Sequence, residues 1–220
     1  MRASLLFAGV FALTTLAGAA KADNIVSNPD FTSTNYAFPG YAGDPSSTNN
    51  QIAGWTGTGS YGATMYNVGG FYNNGTLPAG DNSVGFIQVS GTLSTTLTGL
   101  VAGQMYELSF LENSRSADGD GCCNAVPEVS VSLDGLSLLS AMADPAVGGS
   151  NPFRDISTDF TATGSSQVLT FAAETGGADG TATFSDVTVT AATPEPSSVA
   201  LLGTGLMASL GALRRRRSIA

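Results

Sequence analysis

Residues 105–111 read Met-Tyr-Glu-Leu-Ser-Phe-Leu. Tyr106, Leu108 and Phe110 fall on one side of an extended chain, with Glu107 and Ser109 on the other. That period of two marks a half-buried strand. Downstream, Glu128–Asp134 repeats the pattern with Val129, Val131 and Leu133. Asp134-Gly135 is a hairpin-turn dipeptide leading into Leu136–Ala141. Phe153–Phe160, Gln167–Ala172 and Thr181–Thr190 follow. In the last of these, Phe184, Val187 and Val189 break alternation at Ser185-Asp186, which predicts a bulge. Upstream, Gly91–Leu100 alternates Leu93, Thr95 and Leu97, and Ser83–Val89 is expected to turn Val84 and Phe86 inward together with Ile87. Tyr61–Val68, Ile52–Gly57 with the single Trp55, and Asn24–Phe31 complete the set. Clusters of Gly, Asn, Asp, Ser, Thr and Pro separate these segments. About nine or ten short strands with little helix, from Asp23 to Ala191, predict an all-β sandwich.

Composition narrows the chemistry. The 220 residues carry 8 Lys+Arg and 17 Asp+Glu, a net charge of −9, and only 11% are charged. The 42% hydrophobic content supplies a core. Histidine is absent, which excludes histidine-based triads, histidine metal sites and histidine acid–base catalysis. Arg115 and Arg154 are the only basic residues between Asp23 and Glu195, and all 17 acidic residues lie there, so this part carries 2 − 17 = −15. So acidic a surface excludes nucleic acid as a partner.

The two ends read as addresses. Arg2, the apolar run Leu5–Leu16 and the small residues Ala20 and Ala22 form a secretory signal peptide over residues 1–22, with the mature chain beginning at Asp23. At the other end come Pro194-Glu195-Pro196, then Ser197–Leu213 without a charge, then Arg214, Arg215, Arg216 and Arg217. The apolar run is long enough to span a thin bilayer, and the arginines hold its far end in the cytoplasm.

This order of motif, apolar helix and arginine cluster resembles the PEP-CTERM sorting signal of Gram-negative bacteria, over residues 192–220. Thr193 stands where that family often has Val. The resemblance implies that signal peptidase and an exosortase process the chain. It would pass transiently through the inner membrane, then reach the cell surface or the extracellular matrix. Asn28-Pro29-Asp30-Phe31, Gly54-Trp55, the 106–110 strand and Phe184-Ser185-Asp186-Val187 resemble the galactose-binding-type jelly roll, a fold that recurs in carbohydrate-binding modules.

In those jelly rolls the first and last strands are neighbours, and a calcium ion is often held there. The resemblance therefore makes Asp30 and Asp186 candidate ligands of a structural Ca2+, a hard cation that takes six to eight oxygens. Asp118-Gly119-Asp120-Gly121 is a second acidic loop, without EF-hand spacing. Cys122 and Cys123 are adjacent in an exported chain, where a vicinal disulfide, free thiols or intermolecular bridges are the alternatives. No carboxylate pair stands out for catalysis, so the expected function is non-catalytic: a structural or adhesive protein of the envelope or extracellular matrix that binds polysaccharide. A secreted carbohydrate-active enzyme or its accessory module is the alternative. Sugar rings stack on aromatics, and Trp55, Tyr66 and Tyr72 with Arg115 are the candidate contacts.

Overall fold

The computed structural model describes residues 23–34, 52–65, 74–115 and 125–192. Eight strands form: β1 (Trp55–Met65), β2 (Ser83–Thr98), β3 (Met105–Ser114), β4 (Glu128–Leu133), β5 (Leu136–Ala143), β6 (Arg154–Thr161), β7 (Ser166–Glu174) and β8 (Thr181–Ala191). All pair antiparallel. β1 runs along one edge of β2 from Ser83 to Thr95. On the other edge, residues 90–98 pair with β7 and residues 85–88 with β8. Two sheets therefore diverge from one ribbon, in the orders β2-β7-β4-β5 and β2-β8-β3-β6. The nested pairs β4·β5, β3·β6 and β2·β7, with β8 closing on the β1–β2 ribbon, are the winding of a jelly roll.

Burial follows the alternation. Leu93, Leu97, Val129, Val131, Leu169 and Phe171 from the first sheet meet Tyr106, Leu108, Phe110, Phe184, Val187 and Val189 from the second. Phe110 packs edge-on against Phe171 at 4.9 Å between ring centres, which joins the two layers.

Eight strands stand where about ten were expected, because two pairs of short segments are single long strands. Gly59 and Gly91 look like breaks in the sequence. In the structure they are register partners beside a bulge between Gly59 and Ser60. Gly59 has φ +70°, and a Cβ there would lie 2.3 Å from the Ser90 carbonyl oxygen. Glycine thus lets the β1–β2 ribbon bend from one sheet to the other without ending.

Asn24–Phe31 is not a strand. It lies along β8, where the Ile25 amide donates to the Val189 carbonyl (3.1 Å) and the Val187 amide to the Pro29 carbonyl (3.2 Å). Phe31 is fully buried, with its ring over Gly85 and 4.7 Å from Trp55. The predicted bulge is present: the β3–β8 register shifts between Ser109 and Leu111, and Asp186 has φ +48°. Val84 does not face the main core. It forms a second cluster with Phe153, Leu77 and Leu111, while Ile87 points between the sheets. Asp134 and Gly135, at φ +49° and +80°, make the predicted hairpin turn. The Asp134 carboxylate accepts from the Val168 amide (2.8 Å) and the Gln167 side chain (3.0 Å).

Candidate functional site

Among the described residues nothing covers the outer face of the first sheet, and its composition follows from strand parity. Every second residue of β4, β7 and β2 points into the core, so the residues between them point out. Across the strands they form rows. One row is Thr58, Thr92, Ala172 and Ser130; the next is Thr56, Ser94, Thr170 and Ser132. Neighbouring hydroxyls bond to one another, Thr58 to Thr92 at 2.8 Å and Ser94 to Thr170 at 2.9 Å. The strand alternation that builds the core therefore also builds a hydroxyl lattice on the opposite face.

A groove of about 360 Å³ lies on this lattice. Small residues, Gly91, Ala172 and Ala141, leave the space, and Thr58, Thr92 and Ser130 line it. At one end Glu174 of β7 stands between Ser90 of β2 and Glu128 of β4, as register partner of both. Two exposed carboxylates therefore face each other across adjacent strands, where side chains stand about 5 Å apart at Cβ. Among the described residues, no aromatic, lysine or arginine lines the groove. Glu128 and Glu174 are 46 residues apart in sequence, and nothing short of the β4–β7 register brings them together.

Asp30, Asp81 and Asp186 lie near enough for their charges to act on one another. Partial burial pushes the Asp30 carboxyl above the usual carboxylate range, and the charges of Asp81 and Asp186 push it further. Asp81 is raised in the same way, by burial and then by Asp186. The corner is tightly tied: Ser83 Oγ donates to the Asp30 carbonyl at 2.5 Å, and Ser185 Oγ donates to the Ser83 carbonyl at 3.1 Å. Among the described residues, no three His, Cys, Asp or Glu side chains converge into a metal-holding group.

Trp55 is not a sugar platform. It is 5% exposed, and its Nε1 donates to the carbonyls of Ser27 (3.2 Å) and Asn28 (3.1 Å). Its ring packs on Phe31 and Phe171, so it anchors the 24–31 segment to the core. Arg115 is also buried, 3.8 Å from Asp179, and is not a surface hydrogen-bond donor. A side chain sequestered in this way does not stack on or bind a polymer at the surface. Tyr66, Tyr72, Asp118, Asp120, Cys122, Cys123 and the tail residues Pro194, Glu195, Pro196 and Arg214–Arg217 lie outside the described residues, as does the apolar run 197–213. Among the described residues, no helix is long and apolar enough to cross a membrane.

A charged cluster at the end of β3 has no local signal in the sequence. Glu112 points inward at the end of β3, 7% exposed, with Arg154 as its register partner on β6. Arg154 also pairs with the buried Asp144, and its Nη1 donates to the Pro145 carbonyl at 2.5 Å. Burial raises the Glu112 carboxyl, an effect that Arg154 partly offsets. The arginine holds the end of β5 to the start of β6.

Comparison with known proteins gives a specific match for the tail. Residues 192–217 match the PEP-CTERM protein-sorting motif. It marks the chain for export as a membrane-anchored precursor that an exosortase processes in Gram-negative bacteria. No curated protein matches the sequence at a significant level. Among solved structures, the CBM22-1 xylan-binding domain of Paenibacillus barcinonensis Xyn10C is 14% identical, with a TM-score of 0.47 over 80% of this chain and 99% of that one. A family-61 carbohydrate-binding module, TmCBM61, solved with β-1,4-galactotriose, is 12% identical, with a TM-score of 0.43 over 78% of this chain and 100% of that one. The enzymatically active domain of bacteriophage CBA120 tailspike protein 4 is 13% identical, with a TM-score of 0.44 over 77% of this chain. This chain spans 21% of the tailspike chain.

Proposed function

We propose that the exported protein is a non-catalytic structural or adhesive component of the envelope or extracellular matrix, and that it binds polysaccharide on the outer face of its first sheet. The hydroxyl-lined groove carries this reading. Ligand sites of a few hundred Å³ with converging polar groups are of the size that holds a short oligosaccharide. Serine and threonine offer both donors and acceptors to sugar hydroxyls. An exported, histidine-free domain with a net charge of −15 suits a matrix role better than intracellular catalysis. Affinity electrophoresis of the exported protein in gels cast with host matrix polysaccharide tests the proposal. Retardation that is lost in Thr92→Val/Ser130→Ala is expected; migration unchanged by any polysaccharide overturns it.

The facing Glu128 and Glu174 support one second reading, a carbohydrate-active enzyme, since glycosidases use two opposed carboxylates. Both are exposed, and neither is sheltered into the general-acid role. Release of reducing sugar, abolished by Glu128→Gln, would establish this reading in place of the binding one.

The Asp30–Asp81–Asp186 corner supports a structural calcium ion, because each added carboxylate there opposes its neighbours until a cation offsets them. Asp30, Asp81 and Asp186 would hold it, and it would supply charge neutralisation between the 24–31 segment and β8. Among the described residues no three carboxylates are grouped closely enough to hold a metal ion, so this reading rests on the mutual repulsion of the three charges and on the calcium titration below.

A further inference from the structure

Resting on the polysaccharide reading, we infer that the groove selects amine-bearing sugars: a polymer of hexosamine units with free, protonated amino groups. The lining carries the case. A neutral glycan strand is ordinarily gripped by stacking its rings on aromatics, and among the described residues none lines this groove. A uronic or sulfated glycan needs cations, and the groove has none of these either. It offers hydroxyls along its length and two carboxylates at one end. Glu128 and Glu174 face each other in register, an arrangement that disfavours the sheet by like-charge repulsion. One ammonium placed between them removes that repulsion and donates to both oxygens, while Ser90, Thr92 and Ser130 meet the sugar hydroxyls.

The domain around the groove adds to this. Arg115 and Arg154 are its only cations, and each pairs with another carboxylate of the domain, Arg115 with Asp179 and Arg154 with the buried Asp144. Neither competes for the groove glutamates, and the net charge of −15 draws a polycation toward the surface. Acetylation of the amine would remove the charge that the two carboxylates select.

The test measures binding of the exported protein to three hexasaccharides at about pH 6, where amines of this class are protonated: β-1,4-glucosamine, its N-acetylated form, and cellohexaose. The glucosamine hexamer should bind at least about tenfold more tightly than the other two, and raising the salt to about 0.5 M should largely erase that margin. Glu128→Gln and Glu174→Gln should each weaken it by about fivefold, the size of an exposed charge contact, without changing the melting temperature by more than a degree or two. Equal binding of all three hexamers, or selectivity that survives the double glutamine variant, overturns the amine inference and leaves the polysaccharide reading standing. Binding of none, together with no retardation by matrix polysaccharide, overturns both.

Discussion

The two sheets expose their outer faces to different fates. The first sheet leaves its face bare, with serine, threonine and alanine in rows and two glutamates at one end. The second sheet buries its corresponding face near the end of β3 beneath residues 74–77 and 144–153. There Asn74 Nδ2 donates to the Ser114 carbonyl (2.7 Å), and Asn113 Nδ2 donates to the Asn74 carbonyl (2.6 Å). The amides of Val147 and Gly148 donate to the side-chain oxygens of Asn113 (2.9 Å) and Asn74 (2.8 Å). Hydroxyls on the bare face bond to one another or face outward, where a ligand can meet them. Polar side chains on the covered face are satisfied by each other, and losing one strands its partner. Stability should therefore respond to the covered region and binding to the bare one.

The sharpest way to break this comparison is Arg154→Gln. It leaves Glu112 and Asp144 as two buried carboxylates without their cation, which should cost about 3–4 kcal/mol and lower the melting temperature by about 10 °C. The loss should shrink on acidification, as the carboxylates become neutral. A pH-independent loss, or none, would show that the triad does not hold β5 to β6.

Asn113→Ala comes next. It removes the acceptor for the Val147 amide and the donor to the Asn74 carbonyl, both at a buried position. About 2–3 kcal/mol should be lost, with glycan binding unchanged at temperatures where the protein remains folded. Thr92→Val on the bare face should show the reverse, within about 0.5 kcal/mol of the parent in stability yet weaker in binding. Similar destabilisation by both substitutions would erase the distinction between the faces.

Titration sets the two regions against each other more gently. Asp30, Asp81 and Glu112 are raised in the native state, so each favours folding when protonated. That contribution is full below the unfolded pKa and is lost as pH rises through the native one. Asp134 is lowered by the hydrogen bonds it accepts, so its contribution is present above the unfolded pKa and lost as pH falls through the native one. Melting temperature should climb as pH is lowered from neutral toward the carboxylate range, then fall. Millimolar calcium at neutral pH should reproduce part of the climb, and Asp186→Ala should abolish the calcium effect. A melt that falls steadily from pH 7 would contradict the three raised carboxylates.

Much of this was legible in the sequence, and the limits have physical causes. Period-two alternation marked Met105–Leu111, Glu128–Leu133 and the bulge at Ser185-Asp186, because inward side chains there are apolar and outward ones are not. It failed at Gly59 and Gly91, where a bend in a continuous strand and the end of a strand require the same residue. It failed again at Val84, since a strand covered on both faces has no polar side to reveal its phase. Trp55 drew attention as an aromatic beside glycine and threonine, but its indole N–H is satisfied by backbone carbonyls 27 and 28 residues upstream. The groove was hidden for a related reason. Serine and threonine at alternate positions read as ordinary solvent-facing residues, and Glu128 meets Glu174 only through a pairing register that local pattern does not specify.

The smallest effect expected is also the one that separates the two faces most cleanly. Glu128 and Glu174 repel across the β4–β7 pair, so Glu128→Gln should raise stability by about 0.2–0.5 kcal/mol at low salt, with the gain fading as salt screens the pair. Chemical denaturation at about 20 mM and about 500 mM salt reads this directly. At the buried end of β3 a charge change of the same kind, Glu112→Gln, alters a buried neighbour of Arg154, and salt should move its effect little. If Glu128→Gln proves destabilising at low salt, the two carboxylates do not oppose folding in the way their register implies. If it stabilises while glycan affinity falls, the bare face retains a pair of charges that the fold would be better off without, which is what a binding site demands of the sheet that carries it.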